Sequence, residues 1–175
     1  HRGHVQLAVA IRENFSLDNL LVVPSADPPH KRTEELAAPE DRLEMARLAF
    51  SGVPNCRISD MEIRRGGPSY TIDTVTCFFH KLPGARLYLI LGLDAFLELD
   101  TWKDYRLLVK KIPLIVVNRK HEETEQYRAF SAFLINRISK SYAFFESLGG
   151  YQAPAFQPIF FFESFNTNIS ATDIR

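Results

Sequence analysis

Hydrophobic residues along the chain cluster into short runs separated by longer amphipathic stretches. The runs are rich in β-branched and aromatic residues, and at four to eight residues each they are typical of buried strands. The sequence therefore predicts strands at residues 20–23, 56–63, 87–91, 113–117 and 159–162.

Amphipathic stretches between these runs predict helices at residues 4–15, 39–51 and 71–81. The clearest has Pro39 in its first turn, acidic residues directly after it, and Gly52 beyond its end. Apolar residues at helical spacing in this helix are expected to pack in the core. They are Leu43, Met45, Ala46, Leu48 and Phe50.

Strands that alternate with helices predict an α/β fold with a Rossmann-like parallel sheet covered by helices on both faces. A chain of 175 residues fits a single domain. Residues 120–157 interrupt the alternation and predict either an insertion or a peripheral hairpin, with a helix near residues 127–139. Because parallel sheets bind ligands beyond the carboxyl ends of their strands, we expect the chemistry at residues 24–31, 64–71, 92–102 and 118–119.

Charge and cysteine content argue against several classes of function. Lys plus Arg and Asp plus Glu both total 21, so no overall field attracts nucleic acid or a membrane surface. Cys56 and Cys77 lack metal-ligand spacing and favour a reducing, cytosolic setting. The apolar runs are far shorter than the roughly 20 residues that cross a bilayer, and the first residues do not resemble a signal peptide.

The chain opens with His1, Gly3 and His4 at the start of a predicted helix. Free backbone N–H groups and the helix dipole favour a phosphate there, Gly3 permits close approach, and two imidazoles add donors. The alternative is a tag remnant or a disordered terminus.

A second phosphate-binding pattern lies at residues 169–175. Ser170 and Thr172 stand at a predicted helix start, and Arg175 follows one turn later. An ordinary helix cap followed by a solvated arginine is the alternative.

These two motifs, HxGH and ISxTxIR, resemble those of the HxGH nucleotidyltransferase superfamily. The blocks between them are similar to the bacterial nicotinate-nucleotide adenylyltransferases and stand in the same order: PPHK at residues 28–31, GPSYTIDT at 67–74, LGLDA at 91–95 and TWK at 101–103. Ala171 replaces a family serine, and the family's first glycine-rich strand and its C-terminal helix are not represented in the sequence.

The resemblance implies in-line attack of a mononucleotide phosphate on the α-phosphorus of ATP, with release of pyrophosphate. It assigns catalysis to His4, assisted by His1. Mg²⁺ is expected to bridge the triphosphate with few protein ligands, so no protein metal site is predicted. The residues expected to bind ATP are Gly3, Lys31, Ser170, Thr172 and Arg175.

For nicotinate mononucleotide, the resemblance implies stacking on Trp102 and hydrogen bonds from neighbouring polar groups. Trp102 could instead be a core residue, and His30 could belong to a solvated turn. The residues expected to bind this acceptor are His30, Tyr70, Thr71, Asp94, Trp102 and Arg119.

Three other functions remain open at this point. The same chemistry could act on nicotinamide mononucleotide or, more distantly, on phosphopantetheine. A catalytically silent nucleotide-binding module would keep the same fold. A class I aminoacyl-tRNA synthetase fragment would need a KMSKS-type loop, which is not visible. The oligomeric state also stays open, with a homo-oligomer as one option.

Overall fold

A computed structural model describes residues 2–29, 36–118 and 123–163. The described residues form two compact units, one up to Tyr70 and one from Thr71 onward. Each unit contains helices and hydrogen-bonded parallel strands, which confirms the predicted α/β class. The expectation of a single domain, and of terminal segments missing from it, stays a prediction.

The first unit pairs two short parallel strands with three helices. Strand β1 pairs with β2 so that Leu20 stands opposite Cys56. Helix α1 buries Gly3, Leu7 and Ile11, which lie one turn apart on one helix face. In chain order the elements are α1 (Arg2–Asn14), β1 (Leu20–Val22), α2 (Pro39–Phe50), β2 (Cys56–Ile58) and α3 (Met61–Arg65).

Helix α2 begins at Pro39 as predicted, but only part of its apolar pattern is buried. Leu43 and Phe50 are 9 % exposed, whereas Met45 is 53 % and Leu48 is 69 % exposed. The expectation that all of these residues pack in the core was therefore wrong. The buried pair is seven residues apart, so it marks a stripe two turns long and narrower than the sequence indicated.

Strand β2 ends at Ile58, five residues before the predicted end. The next residues form helix α3. Asp60, immediately before the helix, forms an ion pair of 2.9 Å with Arg64 one turn later. Apolar Met61 and Ile63 had suggested a longer strand, but Met61 is buried as part of a helix.

The second unit contains a sheet whose described strands run in the order β3-β4-β7-β6-β5. Strands β3, β4 and β7 are parallel, and every residue of β4 is buried because the strand has a neighbour on each side. The helical elements are α4 (Thr71–Lys81), α5 (Leu93–Phe96), a 3₁₀ turn (Leu99–Thr101), α6 (Tyr105–Lys111), α7 (Glu123–Phe133) and a π-helical turn (Leu134–Ile138). The strands are β3 (Leu89–Gly92), β4 (Leu114–Asn118), β5 (Ala143–Phe145), β6 (Gly150–Ala153) and β7 (Phe156–Glu163).

The segment that interrupts the predicted alternation folds as a helix and an antiparallel hairpin. Strands β5 and β6 pair antiparallel, and β6 pairs antiparallel with β7. The hairpin alternative is therefore confirmed, and the sheet is mixed where the sequence predicted only parallel strands. The hairpin packs closely: a Cβ at Gly150 would lie 2.7 Å from the Phe160 ring.

Two tyrosines attach the hairpin to the rest of the second unit. The Tyr142 hydroxyl donates to the Gln157 carbonyl oxygen at 2.9 Å, and burial raises its pKa. The Tyr151 and Tyr127 hydroxyls share a hydrogen bond. Burial has the larger effect and this bond the smaller one in raising the pKa of Tyr151.

Among the described residues, no helix is long and apolar enough to cross a membrane.

Candidate active site

The first turn of α1 carries two of the predicted site residues. The helix begins at Arg2, Gly3 is buried, and His4 is exposed. The first N–H groups of a helix have no partner within the helix, and the dipole adds partial positive charge there. This helix start therefore suits an anion such as a phosphate.

The loop that follows β1, residues 24–29, is fixed by the side chain of Ser69. The Ser69 hydroxyl accepts hydrogen bonds from the backbone N–H groups of Ala26 at 2.8 Å and Asp27 at 3.3 Å. The Ser69 N–H in turn donates to the Asp27 carbonyl oxygen at 2.8 Å. Ser69 is only 9 % exposed, so these bonds replace the water that its polar atoms would otherwise contact.

Arg42 of helix α2 contacts the same loop. Its guanidinium donates to the Ala26 carbonyl oxygen at 2.8 Å and to the Ser25 hydroxyl at 3.3 Å. Its Nε also donates to the Ala37 carbonyl oxygen at 3.0 Å. One planar group therefore links the loop to the residues just before α2.

The carboxyl ends of β3, β4 and β7 bring three polar residues to one edge of the second unit's sheet. Asp94 is exposed in the first turn of α5, two residues after β3 ends. Asn118 is the last residue of β4, is 2 % exposed, and stands in register with Glu163. This is the edge at which parallel sheets bind ligands.

Two further predicted site residues flank an ion pair in the second unit. Thr71 is the first residue of α4, and Trp102 follows the 3₁₀ turn; both are half-buried. Lys103, next to Trp102, contacts Asp73, two residues after Thr71, with Nζ–Oδ distances of 3.1 and 3.3 Å. The pair connects the segment that bears Trp102 to the start of α4.

The structure thus distributes the described site residues over both units. Gly3, His4 and half-buried Tyr70 belong to the first unit. Thr71, Asp94 and Trp102 belong to the second. The remaining predicted residues lie outside the described part of the chain: His1, His30, Lys31, Arg119, Ser170, Thr172 and Arg175. Their roles stay predictions.

Several residues that organise this site were not predicted from the sequence. Ser69 lies in a recognised block, but its partners are 42 and 43 residues away. Arg42 stood in a helix that was interpreted only by its end signals and its apolar pattern. Asn118 ends an apolar run and lies in the segment 118–119 where the sequence predicted chemistry, but it was not named as a site residue.

The donors of the described site suit phosphate better than a metal ion. His4 and Arg2 at the start of α1 are hydrogen-bond donors or cations. Within residues 2–29, 36–118 and 123–163, no three His, Cys, Asp or Glu side chains are grouped as metal ligands.

In the first unit, burial raises the pKa of the Cys56 thiol, and the positive charge of Arg12 partly opposes this rise.

Comparison with known proteins gives a match over the whole chain. Residues 1–175 match the cytidylyltransferase-like family. A Desulfatibacillum aliphaticivorans protein named "Probable nicotinate-nucleotide adenylyltransferase" is 45 % identical over 119 residues, 68 % of this chain and 54 % of that protein. A Borreliella burgdorferi protein of the same name is 32 % identical over 138 residues, 79 % of this chain and 72 % of that protein. The chain thus spans about half the length of several relatives that it matches.

A solved structure supports the fold. The Plasmodium falciparum nicotinic acid mononucleotide adenylyltransferase complexed with NaAD superposes with a TM-score of 0.64 at 14 % identity. The superposition covers 95 % of this chain and 70 % of that one. At this identity the likeness shows a shared nucleotidyltransferase fold.

Proposed function

The chain belongs to the cytidylyltransferase-like family, and we propose that the protein transfers the adenylyl group of ATP to nicotinate mononucleotide. The products are nicotinic acid adenine dinucleotide and pyrophosphate, a step in the synthesis of NAD. The relatives named above as nicotinate-nucleotide adenylyltransferases support this choice of acceptor.

The observation that carries the proposal is the first turn of α1. An exposed histidine, His4, stands in this first turn, where the helix dipole adds partial positive charge. A triphosphate needs such a combination of donors and positive potential. In this proposal His4 donates to an oxygen of the α-phosphate, where negative charge builds in the transition state.

The acceptor half of the proposal rests on the second unit. Trp102 supplies a flat ring for the pyridine, and Asp94 supplies a carboxylate for the ribose hydroxyls. Thr71 and Tyr70 supply hydrogen bonds for the nicotinate carboxylate. His30 and Arg119 are proposed to contact the mononucleotide, and Lys31, Ser170, Thr172 and Arg175 the phosphates of ATP, with His1 assisting.

The proposed reaction needs positioning more than covalent chemistry from the protein. The mononucleotide phosphate oxygen forms a bond to the α-phosphorus while the bond to pyrophosphate breaks in line with it. Mg²⁺ is proposed to enter on the triphosphate and to neutralise its charge, in keeping with a helix start that offers donors rather than carboxylates. A cytoplasmic location, and no role for nucleic acid or a membrane, complete the proposal.

The test is pyrophosphate release by the complete protein from ATP and Mg²⁺. Nicotinate mononucleotide and nicotinamide mononucleotide are supplied in parallel as acceptors. We expect turnover with a strong preference for the nicotinate form. His4→Ala should lower kcat about 100-fold to 1,000-fold, because it removes a donor to the developing charge.

Gln6→Ala provides the matched control, because Gln6 is an exposed residue of the same helix. It should retain wild-type turnover. Equal rates with both acceptors would replace the proposal with a dual-specificity enzyme. No turnover with either would contradict it in favour of a nucleotide-binding module.

A further inference from the structure

The segment that bears Trp102 is short and has little regular structure of its own. It consists of the 3₁₀ turn and the three residues before α6. The backbone N–H of Trp102 donates to the Leu99 carbonyl oxygen at 3.0 Å. The Trp102 carbonyl oxygen accepts from the backbone N–H of Tyr105 at 3.2 Å. Asp104 adopts the left-handed conformation, with φ of 50°. Interactions with the surrounding elements therefore contribute to the position of the segment that bears Trp102.

One such interaction joins Asp100 to Arg137. The Arg137 Nε donates to the Asp100 Oδ2 at 2.8 Å, and a terminal guanidinium nitrogen contacts the same oxygen. The Asp100 side chain is 12 % exposed and that of Arg137 is 63 % exposed. The carboxylate is the more deeply placed partner, so the loss of the arginine would leave a mostly buried charge without this contact.

The position of Arg137 is itself fixed by packing. Arg137 lies in the π-helical turn that follows α7. Phe130 and Phe133 of α7 pack against Phe96, with ring centroids 5.1 and 5.2 Å apart. Phe96 belongs to α5, three residues before the 3₁₀ turn begins. π-Helical turns recur at functional sites. Here the turn follows the well-packed helix α7 and brings the Arg137 guanidinium to Asp100.

The second interaction lies on the other side of Trp102. Lys103 and Asp73 form the ion pair described above, with side chains 42 % and 44 % exposed. Exposed pairs of this kind contribute little to global stability. Trp102 is therefore bracketed by an ion pair two residues before it and another one residue after it.

We propose that Arg137 is a positioning residue, which holds Trp102 in its acceptor-binding place by anchoring Asp100. The Lys103–Asp73 pair fixes the same segment relative to the start of α4. The inference rests on the proposed function, because it takes Trp102 as the stacking surface for the pyridine ring. It gives a functional role to Arg137, for which the sequence predicted only a helix near residues 127–139.

The experiment uses Arg137→Ala in the complete protein. We expect the KM for nicotinate mononucleotide to rise about tenfold, because misplacing a stacking ring by a fraction of its width weakens binding. The KM for ATP should stay within about twofold of wild type. Arg137→Lys should restore only part of the loss, because an ammonium cannot reproduce the Nε contact geometry.

Arg128→Ala is the matched control, since Arg128 is an exposed arginine of α7. Asp100→Asn and the double variant complete a cycle, in which the double variant should be no worse than Arg137→Ala alone. An unchanged KM for nicotinate mononucleotide in a folded Arg137→Ala protein would overturn the proposal. Parallel rises in the KM values of both substrates would also overturn it, because they would indicate a general structural defect.

Acrylamide quenching of Trp102 fluorescence separates this proposal from the proposed function. The chain has one tryptophan, and a Trp102→Phe variant identifies its signal in the complete protein. Arg137→Ala should make Trp102 about twofold more accessible to quencher if the segment loosens. This result can be obtained even if the wild type fails to turn over nicotinate mononucleotide. Unchanged quenching would count against Arg137 as a positioning residue.

Discussion

Two segments that carry or adjoin the predicted site residues are held by different kinds of interaction. Residues 24–29 are fixed through their backbone, by the buried hydroxyl of Ser69 and the guanidinium of Arg42. Residues 99–104 are joined to other elements through their side chains, by the ion pairs Asp100–Arg137 and Lys103–Asp73. The first arrangement depends on hydrogen bonds that satisfy backbone groups. The second depends on opposite charges, of which Asp100 is mostly buried and the other three are exposed to solvent.

The difference predicts which kind of change each segment tolerates. Removing a partner from a buried backbone group leaves that group unsatisfied, at a cost of about 1–3 kcal/mol. Removing an exposed ion pair costs about 0.2–1 kcal/mol, because water and salt already screen it. Substitutions at Ser69 and Arg42 should therefore appear in stability, and those at exposed Lys103 and Asp73 mainly in substrate binding.

The largest effect is expected for Ser69→Ala. The Ala26 and Asp27 N–H groups lose their acceptor in a part-buried place, so the free energy of unfolding should fall by about 1–3 kcal/mol. Urea denaturation of the complete protein measures the change. Ser51→Ala, which removes an exposed hydroxyl from the same unit, should cost no more than about 0.5 kcal/mol. Equal costs for the two variants would contradict the role given to Ser69.

A smaller effect is expected for Arg42→Ala. The variant removes donors from the Ala26 and Ala37 carbonyl oxygens, and water can replace part of this contact because Arg42 is half-buried. We expect a loss of about 1–2 kcal/mol in the free energy of unfolding, again measured with urea. Arg47→Ala on the same helix removes only an exposed pair with Glu44 and should cost about 0.3 kcal/mol. A larger loss for Arg47→Ala than for Arg42→Ala would show that the backbone contacts of Arg42 contribute nothing.

The smallest effect is expected from salt. Raising the ionic strength from about 0.05 to about 1 M should increase acrylamide quenching of Trp102 by less than about twofold, because it screens the exposed Lys103–Asp73 pair. The increase should shrink in Lys103→Met, which has no such charge to screen. The deeper Asp100–Arg137 pair is screened less. A salt response that is the same size in Lys103→Met would assign the effect to another part of the protein.

The sequence predicted the elements whose signal is local. The continuous apolar run at residues 113–117 identified β4 because a strand with neighbours on both sides is apolar throughout. Pro39 and the acidic residues after it placed the start of α2 correctly. The strand predicted at residues 56–63 was too long because apolar Met61 and Ile63 fit both a strand and a short helix, and periodicity alone does not separate the two.

The candidate site was predictable only where a residue type carries its own chemistry. His4, Asp94 and Trp102 stood out by type and by their place after or before an element. Ser69 and Arg137 did not, because their contribution lies in contacts with residues 42 and 37 positions away. Such contacts depend on tertiary packing, which no local pattern encodes.

The hairpin between β5 and β6 has a consequence for how the chain can vary in length. Its turn, residues 146–149, is exposed, and lengthening an exposed turn adds only a slowly growing entropy cost. Gly150, directly after it, faces the Phe160 ring and the Ile159 carbonyl oxygen so closely that a larger residue would displace one of them. Insertions, reporter peptides or attachment tags are therefore compatible with the tip of the hairpin, while the first residue of β6 must remain a glycine to preserve the pairing with β7.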